Sequence, residues 1–263
     1  MVEATRSQAI EATCLLGERG CCLVKVDANS NEAYVINLDQ DIERLAHAKQ
    51  QHPSVRRWPG VVVSGARDLR RYARFFREDF DFVPQDLQLG NFGCTLSHLT
   101  LLEHVQRSER NVIFVFEDDF VLNRPFSDLI NAVNSFPPDW DLINLAAWGR
   151  ESLSEELISY ESHTYSRVLG GKMCGAFALA FKTVAIPKIL ELARADFGAG
   201  GGRGGTRFAD TLFMRIAPGI RYYYLDRGRF VDHSEAFSSS RCEINVGGLF
   251  ARIIRKVRRS LRG

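Results

Sequence analysis

Apolar runs alternate with segments of helical periodicity along the chain, and this alternation predicts an α/β fold. Strands are expected where β-branched and aromatic residues cluster, and helices where apolar residues recur every three or four positions. The predicted strands are 33–39, 60–66, 112–116, 141–146, 173–181 and 220–226, and the predicted helices are 41–51, 95–108, 183–195 and 208–217. Strands that alternate with helices favour a single layered domain, with a parallel or mixed sheet between helices.

Three consecutive acids, Glu117, Asp118 and Asp119, follow the apolar run from Val112 to Phe116. The run contains no polar residue, which is typical of a strand buried on both faces. In open α/β sheets, ligands bind at the carboxyl ends of the strands. Because adjacent carboxylates repel one another, a fold that keeps them together usually neutralises them with a cation. The sequence therefore predicts a divalent-metal site with Asp118 and Asp119 as ligands, and a solvated turn is the simpler alternative.

A candidate anion site precedes the acids in the sequence. Ser97 and His98 follow a predicted glycine turn at Gly90 and Gly93, and Thr95 is the expected N-cap of the next helix. A helix N-terminus attracts anions, so this turn is a candidate contact for a nucleotide or a sugar phosphate. The alternative for His98 is a helix-facing side chain with a local hydrogen bond.

Two further candidates lie later in the chain. His233 follows the last predicted strand and would give the metal a third, nitrogen ligand, whereas an ordinary surface histidine is the alternative. Asp210 opens a predicted helix after the glycine-rich segment 198–205. A carboxylate there would deprotonate an acceptor hydroxyl, and a first-turn acid without a chemical role is the alternative. The glycines match no phosphate-loop pattern.

The charge distribution separates a mildly acidic body from a basic tail. The 263 residues carry a net charge of +2, and removing the six basic residues of 247–263 leaves −4. The body is therefore unlike a nucleic-acid-binding polycation, and no nucleic-acid partner is expected. Apolar residues recur at helical spacing between the basic residues of 249–262, which predicts an amphipathic helix on an anionic membrane surface. A solvated terminus is the alternative.

The rest of the composition is that of an ordinary globular protein, with 45% hydrophobic and 25% charged residues. No apolar run approaches the roughly 20 residues that span a bilayer, and no signal peptide is recognised, so a cytoplasmic location is expected. The six cysteines show no metal-ligand spacing. They are therefore expected to be buried small hydrophobic residues rather than disulfides or zinc ligands.

Taken together, these motifs resemble glycosyltransferase family 25, the bacterial lipooligosaccharide galactosyltransferases and their collagen-modifying relatives. The resemblance covers about residues 34–240. It is carried by "VINLDQDIER", "LGNFGCTLSHLTLLE" and "VFEDDF", and then in family order by "WDLINLA", "GAFALAFKTVAIPKIL" and the aspartate of "FADTLF". The Ser-His and Glu-Asp-Asp blocks at their separation are its most specific part.

The resemblance implies a GT-A-like (Rossmann-like) fold, a UDP-sugar donor with galactose as the expected hexose, a divalent metal (Mn²⁺ or Mg²⁺) and inversion at the anomeric carbon. It implies donor-side roles for Asn37, Asp39, Arg44, Ser97, His98, Glu117 and Asp118. Asp118 and Asp119, joined by His233, would hold the metal, and Asp210 would be the acceptor-side base. Glu117 is expected mainly to support its neighbours, because its side chain is predicted to turn back into the body.

The expected function is metal-dependent hexose transfer from a UDP-sugar to a glycolipid or lipooligosaccharide acceptor. The expected location is cytoplasmic, on the inner face of the cell membrane. Two alternatives stay open: a metal-dependent nucleotidyl or phosphoryl transferase using the same acids, and a catalytically silent glycan- or nucleotide-binding module. The expected organisation is an N-terminal extension at 1–30, a GT-A-like domain at 31–246 and the basic tail at 247–263.

Overall fold

A mixed eight-stranded sheet forms the centre of the molecule in the computed structural model, which describes residues 31–78, 80, 89–150, 152–198, 208–234 and 236. The strands are β1 (Asn31–Asn37), β2 (Arg56–Pro59), β3 (Val112–Glu117), β4 (Phe120–Leu122), β5 (Leu142–Ala147), β6 (Ser154–Tyr160), β7 (His163–Gly170), β8 (Ala178–Lys182), β9 (Tyr222–Asp226) and β10 (Val231–His233). The helices are α1 (Ile42–Gln51), α2 (Ala66–Arg71), α3 (Leu89–Val105), α4 (Phe126–Asn134), α5 (Ile186–Asp196) and α6 (Ala209–Ile216).

The strand order of the large sheet is β2-β1-β3-β8-β5-β9-β7-β6. β1 pairs in parallel with both β2 and β3, and β5 pairs in parallel with β9. β8 lies antiparallel between β3 and β5, so β3 and β5 run in the same direction. The carboxyl ends of β1, β3, β5 and β9 therefore meet along one edge of the sheet. β4 and β10 form a separate antiparallel pair.

Two hydrophobic cores cover the two faces of the sheet. One core contains apolar residues of α3, α5 and α6 together with Ile113 and Val115 of β3. The other contains residues of α1 and α4 together with Phe114 and Phe116 of the same strand. Because successive side chains of a strand point to opposite faces, the uninterrupted apolar sequence of β3 supplies both cores. The predicted mixed sheet flanked by helices is confirmed.

Three predicted elements are placed differently in the structure, and one of them is the strand predicted at 173–181, which begins only at Ala178 as β8. The second strand is β2 at Arg56–Pro59, not 60–66, because the Val61 amide donates to Ser97 Oγ at 2.7 Å instead of joining a strand. α3 begins at Leu89, so the predicted glycine turn is wrong. Gly93 lies inside the helix, where a Cβ atom would come within 2.5 Å of the Val61 carbonyl oxygen. Glycine is required there for close packing rather than for a turn.

The early start of α3 changes the interpretation of its polar residues. Thr95 is not an N-cap but donates within the helix to the Asn91 carbonyl at 3.1 Å. Ser97 and His98 consequently lie in the third turn, and the predicted anion site at a helix N-terminus is wrong. Asp41 occupies the N-cap position of α1 but makes no side-chain cap hydrogen bond.

The β6–β7 hairpin and helix α4 are elements that the sequence patterns did not indicate. β6 is the exposed edge of the sheet and lacks the apolar alternation of a half-buried strand. Among the described residues, no helix is both long and apolar enough to cross a bilayer. The predicted extension 1–30 and the basic tail 247–263 lie outside the described residues.

Candidate functional site

A cavity of about 520 Å³ opens at the edge of the sheet where β1 and β3 end. Its walls include the loop 60–63, the N-terminal part of α6 and His233 of β10. Most of the sequence-predicted site residues line this cavity, namely Asn37, Arg44, Ser97, Glu117, Asp118, Asp119, Asp210 and His233. Within the described part of the chain, Asp39 and His98 are the predicted residues that do not line it.

Asp118 is buried and held by two neighbouring elements. Because β1 and β3 pair in parallel with Ile36 beside Glu117, the next residues, Asn37 and Asp118, meet where the strands end. Asn37 donates to Asp118 Oδ2 at 2.8 Å, and Arg44 of α1 donates to Oδ1 at 2.6 Å. Burial raises the pKa of Asp118, and these two hydrogen bonds offset part of that effect.

Asp119 meets His233 across the small two-stranded sheet. β10 pairs with β4 so that His233 lies opposite Phe120, and Nε2 of His233 comes within 3.0 Å of Asp119 Oδ2. The hydrogen bond to Asp119 raises the pKa of His233. The other carboxylate oxygen of Asp119, Oδ1, is buried and has no hydrogen-bond partner among the described residues. A buried carboxylate oxygen without a donor is costly unless a ligand satisfies it.

Asp118, Asp119 and His233 offer donor types that suit a divalent cation. Two carboxylates and one imidazole suit Mn²⁺, and hard oxygen ligands suit Mg²⁺. Asp119 Oδ1 is the buried oxygen without a donor. Both oxygens of Asp118 already accept hydrogen bonds, but a carboxylate has about four lone-pair positions and keeps capacity for a metal. Arg44, 2.6 Å from Asp118 and 3.6 Å from Asp119, offsets part of the negative charge.

Glu117 belongs to a different group of side chains. It follows Val115 on the face of β3 that α3 covers, and its Oε1 lies 3.1 Å from Cys94 Sγ and 3.5 Å from His98 Nε2. His98 is only 1% exposed. Glu117 does turn toward the body, as expected. Of its partners on α3, Cys94 lines the cavity, whereas His98 lies behind the cavity wall. The expectation that the cysteines are buried is wrong for Cys94 and Cys174, which are half-buried.

Ser97 acts on the backbone of the neighbouring loop. Its hydroxyl accepts from the Val61 amide at 2.7 Å and donates to the Gly93 carbonyl at 2.7 Å. These bonds tie the loop 60–63 to α3, and that loop forms one wall of the cavity. Ser97 therefore shapes the cavity wall through Val61.

Asp39 lies outside the cavity, and an arginine that the sequence did not indicate explains its position. The side chain of Asp39 is 87% exposed and forms an ion pair with Arg57 of β2. Arg57 Nε also donates to Asn37 Oδ1 at 3.1 Å. The side-chain amide of Asn37 thus connects Arg57 to Asp118, so Arg57 positions the residue that holds the buried acid. No local sequence signal identified Arg57, because the contact depends on the pairing of β1 with β2.

Asp210 lies in the first turn of α6 and lines the cavity. Its Oδ1 accepts from the Thr211 amide at 2.8 Å. Burial raises the pKa of the adjacent Tyr222, and the negative charge of Asp210 adds to this effect. Two further lining residues, Trp148 and Arg227, were not predicted, and the guanidinium carbon of Arg227 lies 5.6 Å from the centre of the Trp148 ring.

Comparison with known proteins adds a family match. The family model described as glycosyltransferase family 25 (LPS biosynthesis protein) matches residues 30–168. A glycosyltransferase 25 family member from Anopheles gambiae is 31% identical over 136 residues. That alignment covers 47% of this chain and 22% of the relative, so the chain spans only about a fifth of the length of the curated protein that it matches.

Three solved structures show distant similarity. A197 from STIV gives a TM-score of 0.37 at 13% identity, with coverage of 74% of this chain and 81% of that protein. Mannose-1-phosphate geranyltransferase from Thermus thermophilus gives 0.41 at 13% identity, with 77% and 76% coverage. A glycosyltransferase involved in the glycosylation of the major capsid of PBCV-1 gives 0.42 at 8% identity, with 81% and 96% coverage.

Proposed function

The chain belongs to glycosyltransferase family 25, and from this premise we propose that it transfers a hexose from a UDP-sugar to a hydroxyl group of a glycolipid or lipooligosaccharide acceptor. The proposed hexose is galactose, and the proposed stereochemistry is inversion. The GT-A-like character of the fold belongs to this proposal. The observation that carries it is the buried Asp119 carboxylate, which has one oxygen without a donor at the edge of a cavity where strands end.

The size and chemistry of the cavity support a nucleotide-sugar donor. About 520 Å³ falls within the roughly 300–1,000 Å³ of small-molecule sites. The walls combine apolar side chains of the loop 60–63 with the charged group of Arg44, Asp118 and Asp119. An apolar wall suits a nucleobase, and the charged group suits a diphosphate that carries its own cation.

Asp118, Asp119 and His233 are the proposed ligands of a divalent cation. When bound, the cation stabilises the negative charge that develops on the departing UDP. Asn37 and Arg44 keep Asp118 oriented through hydrogen bonds of 2.8 and 2.6 Å. The buried positive charge of Arg44 limits repulsion between the two acids before the donor arrives.

Asp210 is the proposed base for the acceptor hydroxyl. It lines the same cavity as Asp118 and Asp119 and is carried by a different element, α6. In an inverting reaction the base accepts a proton from the attacking hydroxyl while UDP departs from the opposite face of the sugar. Asp210 Oδ1 accepts from the Thr211 amide at 2.8 Å, which orients the carboxylate at the start of the helix. A carboxylate has about four lone-pair positions, so this bond is compatible with proton transfer.

The test is UDP release from a panel of UDP-hexoses, with and without Mn²⁺, by the full chain and by Asp119→Asn. We expect metal-dependent release, with kcat reduced about 10²- to 10³-fold in the variant because one oxygen ligand is lost. Asp128→Asn removes an exposed acid of α4 and is the matched control, which should keep wild-type activity. UDP binding without turnover would favour the silent binding module. Release of pyrophosphate or a nucleoside monophosphate would favour the nucleotidyl or phosphoryl transferase.

The membrane part of the proposal concerns the basic segment 249–262. Six basic residues, each worth about 1 kcal/mol near an anionic surface, would hold the enzyme reversibly on the cytoplasmic face of a membrane. Co-sedimentation with anionic vesicles should fall when Arg252, Arg255 and Arg258 are changed to Gln in the full chain, and in a 1–246 truncation. Unchanged co-sedimentation of both variants would exclude this role for the tail.

A further inference from the structure

Cys94, His98 and Glu117 bring a thiol, an imidazole and a carboxylate together beside the cavity. One ligand atom from each residue lies within 4.8 Å of the other two. Cys94 and His98 are four residues apart on α3, so both project from one face of the helix. Glu117 comes from β3, on the face that α3 covers, whereas Asp118 turns to Arg44 on the other side. The group therefore uses none of the donor atoms of Asp118, Asp119 and His233.

The interatomic distances are close to those between ligands of one small cation. Glu117 Oε1 lies 3.1 Å from Cys94 Sγ and 3.5 Å from His98 Nε2. Tetrahedral zinc bonds of about 2.0–2.3 Å place neighbouring ligand atoms about 3.3–3.7 Å apart. Only small shifts of these side chains would be needed to surround a cation. Cys94 and Glu117 also line the cavity, so a fourth position faces its interior.

We propose that Cys94, His98 and Glu117 form a binding site for a borderline-soft divalent cation, with Zn²⁺ as the best match, and that its fourth position opens into the cavity. This site is independent of the sugar transfer proposed above and of the cation proposed at Asp118 and Asp119. Three protein ligands with one open position are typical of zinc sites that bind water or substrate, whereas closed structural sites use four protein ligands.

The donor types distinguish this site from its neighbour. A thiolate and an imidazole favour Zn²⁺ over Mg²⁺ or Mn²⁺, which prefer oxygen. The Cys94 thiolate and the Glu117 carboxylate together neutralise a divalent cation, so the loaded site would carry no net charge. This suits a buried position, since His98 is only 1% exposed. Nδ1 of His98 has no hydrogen-bond partner among the described residues. Because such partners typically strengthen binding 10- to 100-fold, we expect weaker affinity than in a fully supported zinc site.

Cobalt substitution tests the thiolate directly. The full chain is stripped of metal under reducing conditions, and Co²⁺ is then added to the wild type, to Cys94→Ser and to Cys174→Ser. We expect a thiolate-to-cobalt charge-transfer band in the near ultraviolet for the wild type and for Cys174→Ser, and its loss in Cys94→Ser. Cys174 is the matched control because it lines the same cavity outside the cluster. Zn²⁺ added afterwards should bleach the band.

Zinc affinity measured by competition with a chromophoric chelator completes the test. Cys94→Ser and His98→Gln should each weaken binding at least tenfold, whereas Asp119→Asn should leave this affinity within about twofold. Circular dichroism of the metal-free variants establishes that they are folded. A double variant, Cys94→Ser with Cys174→Ser, tests whether Cys174 replaces Cys94 as the metal ligand in the single variant. The proposal is overturned if the band survives in Cys94→Ser, or if zinc affinity falls only in Asp119→Asn.

Discussion

Two arginine–aspartate groups with buried acids lie where the strands of the central sheet end and where they begin, and they differ in how completely those acids are satisfied. At the edge where β1 and β3 end, Arg44 pairs with Asp118 and approaches Asp119. At the other edge, where β5 and β9 begin, Arg221 pairs with Asp141. The same two side-chain types therefore serve both edges of one sheet, in different arrangements.

Asp141 has donors on both oxygens. Its Oδ1 accepts from Arg221 at 2.6 Å, and its Oδ2 accepts from the Arg221 amide at 2.8 Å and from its guanidinium at 3.1 Å. Burial acts to raise the pKa of Asp141, but these hydrogen bonds outweigh it and the pKa is lowered. The pair ties together the starts of two parallel strands. Its acid is stabilised in the ionised form by the protein alone.

The Asp118 and Asp119 group has too few donors for its charge. Burial raises the pKa of Asp118 despite its bonds to Asn37 and Arg44, and Asp119 Oδ1 has no donor among the described residues. Two acids in this group share one arginine and one histidine. The contrast separates an ion pair that holds strands together from an acidic group that gains by binding a cation.

Removal of each acid should therefore have different consequences for stability. We expect Asp141→Asn to lower the free energy of unfolding by about 2 kcal/mol, less than the roughly 3–5 kcal/mol for a fully buried pair, because Arg221 is 42% exposed. Asp119→Asn should change it by less than about 1 kcal/mol, because that acid is poorly satisfied already. Urea unfolding of the metal-free proteins measures both values.

Replacing an exposed acid is the control for a general effect of charge removal on stability. Asp128→Asn should stay within about 0.5 kcal/mol of the wild type, as surface substitutions usually do. If Asp119→Asn proved as destabilising as Asp141→Asn, the acids of the cavity would be structural in the same sense, and the contrast between the two edges would fail.

Divalent cations should stabilise the protein by binding at Asp118 and Asp119 and not at Asp141. At a free Mn²⁺ concentration ten times Kd, we expect the free energy of unfolding to rise by about 1.4 kcal/mol, because only the folded state holds the ligands together. This gain should disappear in Asp119→Asn and persist in Asp141→Asn. Thermal unfolding with and without Mn²⁺ measures it. An equal gain in Asp119→Asn would mean that the cation binds elsewhere, and the proposed ligand set would be rejected.

Parts of this contrast follow from local sequence patterns. The apolar run of β3 and its three acids are contiguous, so both the buried strand and the acidic edge were predictable. His233 was a candidate metal ligand, but its contact with Asp119 depends on the pairing of the three-residue strand β10 with β4, which lies more than a hundred residues away in sequence. Such a short strand has no periodicity to detect.

Other parts depend on tertiary contacts that override local pattern. Val61–Val63 has the composition of a strand, yet the Val61 amide binds Ser97. Gly90 and Gly93 have the composition of a turn, yet Gly93 serves close packing inside α3. Cys94, His98 and Glu117 match no familiar ligand spacing, because the third residue comes from a different element. Pairing between distant elements decides each of these cases.

The pH dependence of stability should distinguish the two edges by the sign of their effects. The pKa of His233 is raised by Asp119, so its contribution is complete below the ordinary value of about 6.5 and is lost as pH rises through the raised value. The pKa of Asp141 is lowered, so its contribution is complete above the ordinary value of about 3.9 and is lost as pH falls through the lowered value.

The measurement is urea unfolding of the wild type, His233→Gln and Asp141→Asn from acidic to weakly alkaline pH, with a chelator present. The advantage of the wild type over His233→Gln should shrink above about pH 6.5, by less than about 1 kcal/mol because the pair is partly exposed. Its advantage over Asp141→Asn should stay constant there and shrink only in acid. If both advantages shrank in acid alone, His233 would be neutral beside Asp119 and would not offset the negative charge of this acidic group.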